Sequence, residues 1–340
     1  MLLGATFVQC QKMSDNGMAA DAPRAFPIAY GHGMKEKAVN YANILPAGPA
    51  FSDLDISPEM VALGKKLYYD KRLSGDGTQS CNTCHNLETF GVDNKPLSKG
   101  IKGEEGTRNS PTVLNAAVFF SQFWDGRAKT VEEQAGGPIL NPVEMAMPSE
   151  AELEKRLRRD EEYKTLFSRV FPGETEPLTF GNVVKALGAF ERTLITPSRF
   201  DAFLGGDEEA LNVQEKRGLS LFVDLSCIKC HSGNTLGGNI FQKFGLVRDY
   251  WGLTNSVRKD EGLFLITRDP ADKYVFKVPS LRNIEKTAPY FHDGSVEKLE
   301  DAIRIMANLQ LGIDLSPSEV DDIKAFLKTL TGTVPASALQ

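Results

Sequence analysis

The stretch "QSCNTCHNL", residues 79–87, sets two cysteines three positions apart with a histidine directly after the second, and it recurs as "LSCIKCHSG", residues 225–233. A Cys-x-x-Cys-His run attaches a c-type haem through two thioethers and offers its histidine as one axial ligand. By that reading Cys81, Cys84 and His85 hold one haem, and Cys227, Cys230 and His231 hold another. The competing readings are a Cys₄ zinc site built from both pairs, or redox-active dithiols. Zinc leaves the histidine after each pair unexplained, and a thioredoxin-type dithiol needs a βαβ setting that this sequence lacks.

Working outward, the similarity between the two runs extends well beyond the cysteines. "GKKLYYD" ahead of the first is echoed by "GLSLFVD" ahead of the second, so Gly64, Leu67 and Tyr68 correspond to Gly218, Leu221 and Phe222. Further on, "SPTVLNAAVFFSQFWDG" (residues 110–126) aligns without a gap to "VPSLRNIEKTAPYFHDG" (residues 278–294). Pro111, Asn115, Phe123, Asp125 and Gly126 fall on Pro279, Asn283, Phe291, Asp293 and Gly294 at a constant offset of 168. A self-similarity of this kind implies duplication of a whole folding unit.

The units are helical. Ser57-Pro58 begins the first helix, with proline where its missing N–H costs nothing. Ser149 to Glu152 reads as a capping box opening a charged helix pair that runs to about Val170, and Thr179 begins a helix with Val183, Leu187, Phe190 and Leu194 on one face. Asn212 with Glu215, and Ser316 with Glu319, cap two more, the last ending at Gly332. No alternating strand exceeds a few residues. The expected fold is mainly α, with two cytochrome c-like helical domains related by internal duplication, each carrying one covalently attached c-type haem. Residues 1–50 form an N-terminal arm, 51–200 the first haem domain and 201–335 the second.

Among 340 residues the formal net charge is −6, which argues against nucleic acid and for a soluble protein with a basic protein partner. No apolar run approaches the ~20 residues needed to cross a bilayer. "MLLGATFVQC" at the start reads either as a remnant of an export signal or as a flexible tail with an incidental thiol at Cys10.

The two halves differ where a sixth iron ligand is needed. Met306, in "AIRIMANLQLG", follows the second Asp-Gly pair, and 168 residues earlier stands Pro138, which has no donor atom. A thioether on iron raises the reduction potential, so His231 and Met306 describe a closed, electron-transferring haem; taken alone, Met306 reads as core packing. The chain has four histidines, His32, His85, His231 and His292. None is assigned to the open face of the first iron, although His32 in the arm is within the reach of a flexible segment. Gln134 and Glu144 stand where the second half has Ala302 and Gly312. A carboxylate and an amide near an open iron suit peroxide cleavage, where a proton must pass from the inner to the outer oxygen. Taken singly they read as a helix-surface amide and a loop acid. Trp124, matched by His292, is read equally as an electron-transfer aid or a structural indole.

These residues are the ones by which the chain resembles the bacterial di-haem cytochrome c peroxidases, from about Asp53 to Leu330. The motifs are "LSGDGTQSCNTCHN", "RNSPTVLNA", "FWDGRA", "NPVEMA", "CIKCHSG", "FKVPSLRNIEKTAPYFHDGS" and "MANLQLG". The resemblance implies that the His85 haem reduces hydrogen peroxide. It also implies that the His231/Met306 haem accepts electrons from a small periplasmic c-type cytochrome or copper protein. Glu144 and Gln134 match the family's catalytic pair, and Trp124 its tryptophan between the haems. Asn109, Thr287 and Pro289 match the donors of one calcium ion, the last two through backbone carbonyls. Covalent c-type attachment takes place outside the bacterial cytoplasm, so a periplasmic location is expected, and the resemblance implies a homodimer, the common state of the family. One departure stands out: many members carry a histidine on the loop after the first haem motif that caps the peroxidatic iron, and here Ile101 occupies that position. Isoleucine cannot coordinate iron, so an oxidised enzyme that is competent without pre-reduction is expected. The methylamine-utilisation di-haem enzyme, an oxidase of a protein partner, also lacks that histidine but has tyrosine in place of the methionine. A plain di-haem electron carrier is the third reading, against which Gln134 and Glu144 weigh.

Overall fold

The computed structural model describes residues 38–46, 48, 50 and 55–340. Cys10 and His32 lie outside the described residues. The principal helices are α1 (Pro58–Tyr68), α2 (Val131–Leu140), α3 (Glu150–Leu157), α4 (Glu161–Val170), α5 (Phe180–Glu191), α6 (Arg199–Leu204), α7 (Val213–Asp224), α8 (Leu299–Met306) and α9 (Pro317–Lys328). The strands β1 (Phe241–Lys243) and β2 (Val275–Lys277) form one short antiparallel pair. Among the described residues no helix is long and apolar enough to cross a membrane.

The capping residues act as their chemistry requires. The Ser57 hydroxyl accepts from the Met60 amide with Pro58 opening α1, and Thr179 accepts from Asn182 at the start of α5. Asn212/Glu215 and Ser316/Glu319 form complete capping boxes. Ser149 caps α3 from one side only, and the charged pair is broken at Asp160, whose carboxylate caps α4. Gly332 does not end the last helix. α9 stops at Lys328 with Thr329 as cap, and Gly332 lies beyond it, where a Cβ would sit 2.3 Å from the Thr196 carbonyl.

Two apolar cores result. One gathers Leu63, Leu67, Tyr68, Tyr163, Phe167, Ala186, Leu187 and Phe190 around the crossing of α1 and α5. The other gathers Leu219, Phe222, Phe200, Ile323, Phe326 and Leu327 around the crossing of α7 and α9. The two crossings are alike in detail. A Cβ on Gly64 would sit 1.8 Å from the Ala186 carbonyl oxygen and 2.9 Å from Phe190 Cβ. A Cβ on Gly218 would sit 1.8 Å from the Asp322 carbonyl oxygen and 2.9 Å from Phe326 Cβ. Only glycine lets the helix backbones meet so closely.

The correspondence at offset 168 extends to the backbone. Asn115 and Asn283 both take left-handed φ, 62° and 61°, and open the short 3₁₀ turns Ala116–Val118 and Ile284–Lys286. Bridges pair Gln122 with Ala128 and Tyr290 with Val296. The side-chain amides of Asn115 and Asn283 converge on one acceptor, the fully buried Thr196 hydroxyl, at 2.8 and 2.9 Å. Thr196 thereby ties both turns to the segment leading into α6. Beside it Arg282, 1 % exposed, makes a two-pronged pair with Asp201, and Asp201 also accepts from the Leu45 amide, drawing the 38–46 strap onto this junction.

Gly218→Ala is expected to lower the unfolding free energy by roughly 1–3 kcal/mol or more, because the intruding methyl must push the paired helix backbones away from each other. Gly181→Ala, on the exposed first turn of α5 where a Cβ meets nothing closer than 3.9 Å, should be neutral or stabilising. Chemical denaturation of both variants checks the pair.

Candidate active site

The first Cys-x-x-Cys-His lies on a single helical turn, Cys81–Cys84, with His85 as its C-terminal cap. The turn follows α1 at a short distance, and Tyr68 at the end of α1 donates its hydroxyl to the His85 carbonyl. The His85 Nδ1 is buried without a hydrogen bond; burial lowers the imidazole pKa, while the facing carbonyls of Gly91 and Pro111 act the other way. The second run repeats this on the 3₁₀ turn Cys227–Lys229. The His231 Nδ1 lies 3.3 Å from the Leu236 carbonyl, and burial brings its pKa down to about 4 against the carbonyls of Leu236 and Pro279. Pro111 and Pro279 are counterparts in the sequence repeat. Burial favours the neutral form of both imidazoles, and at His231 the Leu236 carbonyl facing Nδ1 favours a proton there and leaves Nε2 free to ligate.

The four cysteines of the two runs are free and half-buried, each pair beside its histidine. Among the described residues no three His, Cys, Asp or Glu side chains are gathered to hold a metal ion, so the two cysteine pairs stand apart and a shared Cys₄ zinc site is ruled out. Two thiols and a neutral imidazole on one turn fit covalent haem at each run.

The helix α2 carries Gln134 and, one turn later on the same face, Pro138. The loop leaving α2 carries Glu144. Its Oε1 accepts from Asn141 Nδ2 at 2.8 Å, and its backbone carbonyl accepts from the Ile101 amide at 3.0 Å. Ile101 thus sits directly against the segment bearing Glu144, an approach that the neighbouring Gly100 permits, since a Cβ there would lie 1.8 Å from the Val143 carbonyl. Burial raises the Glu144 pKa, with the Asn141 hydrogen bond and the Arg127 charge opposing it. Glu144 also lies near enough to Cys84 to raise that thiol's pKa, after burial and Asp93. Gln134 makes no side-chain hydrogen bond among the described residues.

The second half presents a different face. Met306 ends α8, and the chain continues into a π-helical turn, Ala307–Leu311, closed by Gly312 at φ 68°. Such a widened turn is frequent at functional sites. Met306 packs into an aromatic cluster with Phe244, Tyr250, Phe276, Phe291 and Trp124. His292, 2 % exposed, lies in the same region, stacked on Phe276 at 4.4 Å.

Trp124 lies at the meeting of the halves. Its Nε1 donates to the Asn109 carbonyl at 2.9 Å, its own carbonyl accepts from the Lys277 amide at 2.8 Å, and its ring lies 6.4 Å from His292. Asn109 in turn donates its amide to the His292 carbonyl at 2.7 Å, and its Nδ2 to Lys95 and Pro96. Asn94 donates to the Lys286 and Ala288 carbonyls, which holds the Thr287–Pro289 turn against the first half. Among the described residues Asn109 Oδ1 and the carbonyls of Thr287 and Pro289 accept no hydrogen bond, as oxygens available to a hard cation would.

Sequence reasoning passed over Asn141, although it stands inside the "NPVEMA" motif, and Arg127, three residues after Trp124. It also passed over Glu191, a buried carboxyl on α5 pushed up to about 8 by burial and by Glu132, and Lys277, a buried lysine in "FKVPS". A lysine in an otherwise apolar run was the one legible signal.

The family model for di-haem cytochrome c peroxidase matches residues 58–209. Over 283 residues the chain is 47% identical to the cytochrome c551 peroxidase of Pseudomonas aeruginosa, covering 82% of this chain and 81% of that protein. It is 45% identical over 284 residues to the cytochrome c551 peroxidase of Nitrosomonas europaea, covering 82% and 83%. Among solved structures, a MauG-like protein associated with microbial copper homeostasis superimposes with a TM-score of 0.76 at 33% identity, over 88% of this chain and 97% of that one. Membership at this level implies haem c as cofactor and a peroxidase activity. The chain belongs to the di-haem cytochrome c peroxidase family.

Proposed function

We propose that the chain is a duplicated protein of two haem domains, 51–200 and 201–335, that reduces hydrogen peroxide to two waters with two protons and two electrons. The peroxidatic haem is assigned to Cys81, Cys84 and His85, and the electron-accepting haem to Cys227, Cys230, His231 and Met306. The observation that carries the assignment is an asymmetry. A half-buried carboxyl, Glu144, and an amide, Gln134, stand on the first half beside a face where Pro138 replaces the second half's methionine. The donor is a small c-type cytochrome or copper protein, the compartment the periplasm, and the assembly a homodimer. Asn109, Thr287 and Pro289 take one calcium ion.

When bound, haem iron supplies the redox chemistry and the binding point for peroxide. The rest falls to side chains. Glu144 takes the proton from the inner oxygen of peroxide and returns it to the outer one, so that water rather than hydroxide departs. Asn141 holds the Glu144 carboxyl by Oε1, fixing its direction. Gln134, free of other hydrogen bonds, orients the oxygens. Trp124, fastened at Nε1 and at its carbonyl, lies on the route between the halves. Ile101 offers no iron ligand, which makes the oxidised enzyme competent without pre-reduction. The same loop is the feature that favours an oxidase acting on a protein partner; Met306 weighs against that.

Glu144→Gln should lower peroxide turnover on the order of 10²- to 10⁴-fold, with haem content and visible spectra retained. In the parent, turnover should be lost on the acid side at a pH above the ordinary carboxylate range, since the raised pKa leaves the carboxyl protonated there, and the variant should lack that limb. Steady-state assays with a reduced cytochrome across pH test this, and unchanged turnover would remove Glu144 from the mechanism.

EPR of the fully oxidised protein should give a high-spin signal from the His85 haem beside a low-spin one. Ile101→His should convert it to two low-spin signals and make activity depend on pre-reduction. Two low-spin haems in the parent would refute the open site.

Met306→Ala should lower the potential of the second haem and slow its reduction by the donor, leaving peroxide binding unaffected. Potentiometric titration and stopped-flow reduction measure both.

A further inference from the structure

One bond between the two halves is made twice. The Asn109 amide donates to the His292 carbonyl at 2.7 Å, and the Lys277 amide donates to the Trp124 carbonyl at 2.8 Å. Adding 168 to 109 and 124 gives 277 and 292, so the second bond is the first with the halves exchanged. The same operation carries Phe119 onto Thr287 and Ser121 onto Pro289. The three oxygen donors assigned to calcium, Asn109, Thr287 and Pro289, therefore have as counterparts Lys277, Phe119 and Ser121.

At the first crossing those oxygens accept no hydrogen bond among the described residues. At the second the place is filled. Lys277 Nζ donates to the Ser121 carbonyl at 2.8 Å and stands 4.7 Å from the Phe119 ring centre. Lys277 is 7 % exposed and makes no ion pair among the described residues; burial brings its pKa down to about 7, against the more distant charge of Asp125. Burying an ammonium without a carboxylate is costly unless other dipoles use its charge. Here the Ser121 carbonyl and the Phe119 ring face do so.

We propose that the Lys277 ammonium is a tethered cation, occupying in the second half the position that calcium occupies in the first. One junction is then metal-dependent and its mate is self-supplied. The assignment rests on the calcium reading of Asn109, Thr287 and Pro289, and Lys277 is a positioning residue that holds the Phe119–Ser121 turn and, through it, Trp124.

Calorimetric titration of chelator-treated holoenzyme with calcium chloride, beside thermal melting in chelator and in calcium, tests it. The parent should take about one calcium per chain and Lys277→Asn about two, the new site being an amide beside the Phe119 and Ser121 carbonyls. Asn109→Lys should take none and melt at the same temperature with or without chelator, whereas Asn109→Ala should take none and melt lower than Asn109→Lys. One calcium on the parent and still one on Lys277→Asn, or Asn109→Lys melting no higher than Asn109→Ala, would overturn the tethered-cation assignment alone. No calcium on the parent would overturn the calcium reading and this assignment with it.

Discussion

The exchanged amide bonds, Asn109 to His292 and Lys277 to Trp124, are the constraint on which the remainder of the site depends. Each takes a loop from one half and fastens it to the indole or imidazole loop of the other. Offset by one repeat and running in opposite directions, they join the halves beside the Asn94 and Thr196 contacts. Because they are main-chain bonds they carry no side-chain rotamer freedom, and their cost in ordering is met by the turns that Asn115 and Asn283 already hold in left-handed conformation.

Within that frame the halves are alike in what builds them and unlike in what they present. The helix crossings at Gly64 and Gly218, the 3₁₀ turns, and the carbonyls of Pro111 and Pro279 that face each imidazole are shared. On the proposed assignment the faces opposite the histidines are not. One offers Gln134, a proline and a half-buried carboxyl held by Asn141; the other offers a methionine in an aromatic wall closed by a π turn. Dry aromatic walls suit a group that exchanges electrons without changing ligands, while a half-buried acid with one fixed hydrogen bond suits proton movement. On the proposed assignment this division lets one polypeptide separate peroxide chemistry from electron delivery, with Trp124 between them. The family likeness to cytochrome c551 peroxidases accords with such a division.

The helices were largely legible because capping is local: Ser57, Thr179, Asn212 and Ser316 each bond an amide three residues away, within the same stretch of sequence. The repeat was legible because glycine and asparagine at forced backbone positions tolerate few replacements. Gly332 was misread as a helix stop because a close approach to Thr196, 136 residues distant in the chain, leaves no local signature. Lys277 escaped notice for the same reason, since its meaning lies in Ser121, a partner that only folding brings near. Asn141 is close to Glu144 in the chain, but a loop contact of that kind has no periodicity to announce it.

By itself the amino-acid order determined the two Cys-x-x-Cys-His runs, the helical units around them, and the inequality of Met306 and Pro138. These are matters of spacing and of which atoms a side chain owns, and they do not change with context. Tertiary structure alone decided that Ile101 lies against the Glu144 segment, that Thr196 receives both asparagine amides, and that Lys277 is buried opposite a carbonyl rather than a carboxylate. Burial and proximity set the pKa of an acid or the worth of an ammonium, and neither exists until residues far apart in the chain share the same few ångströms.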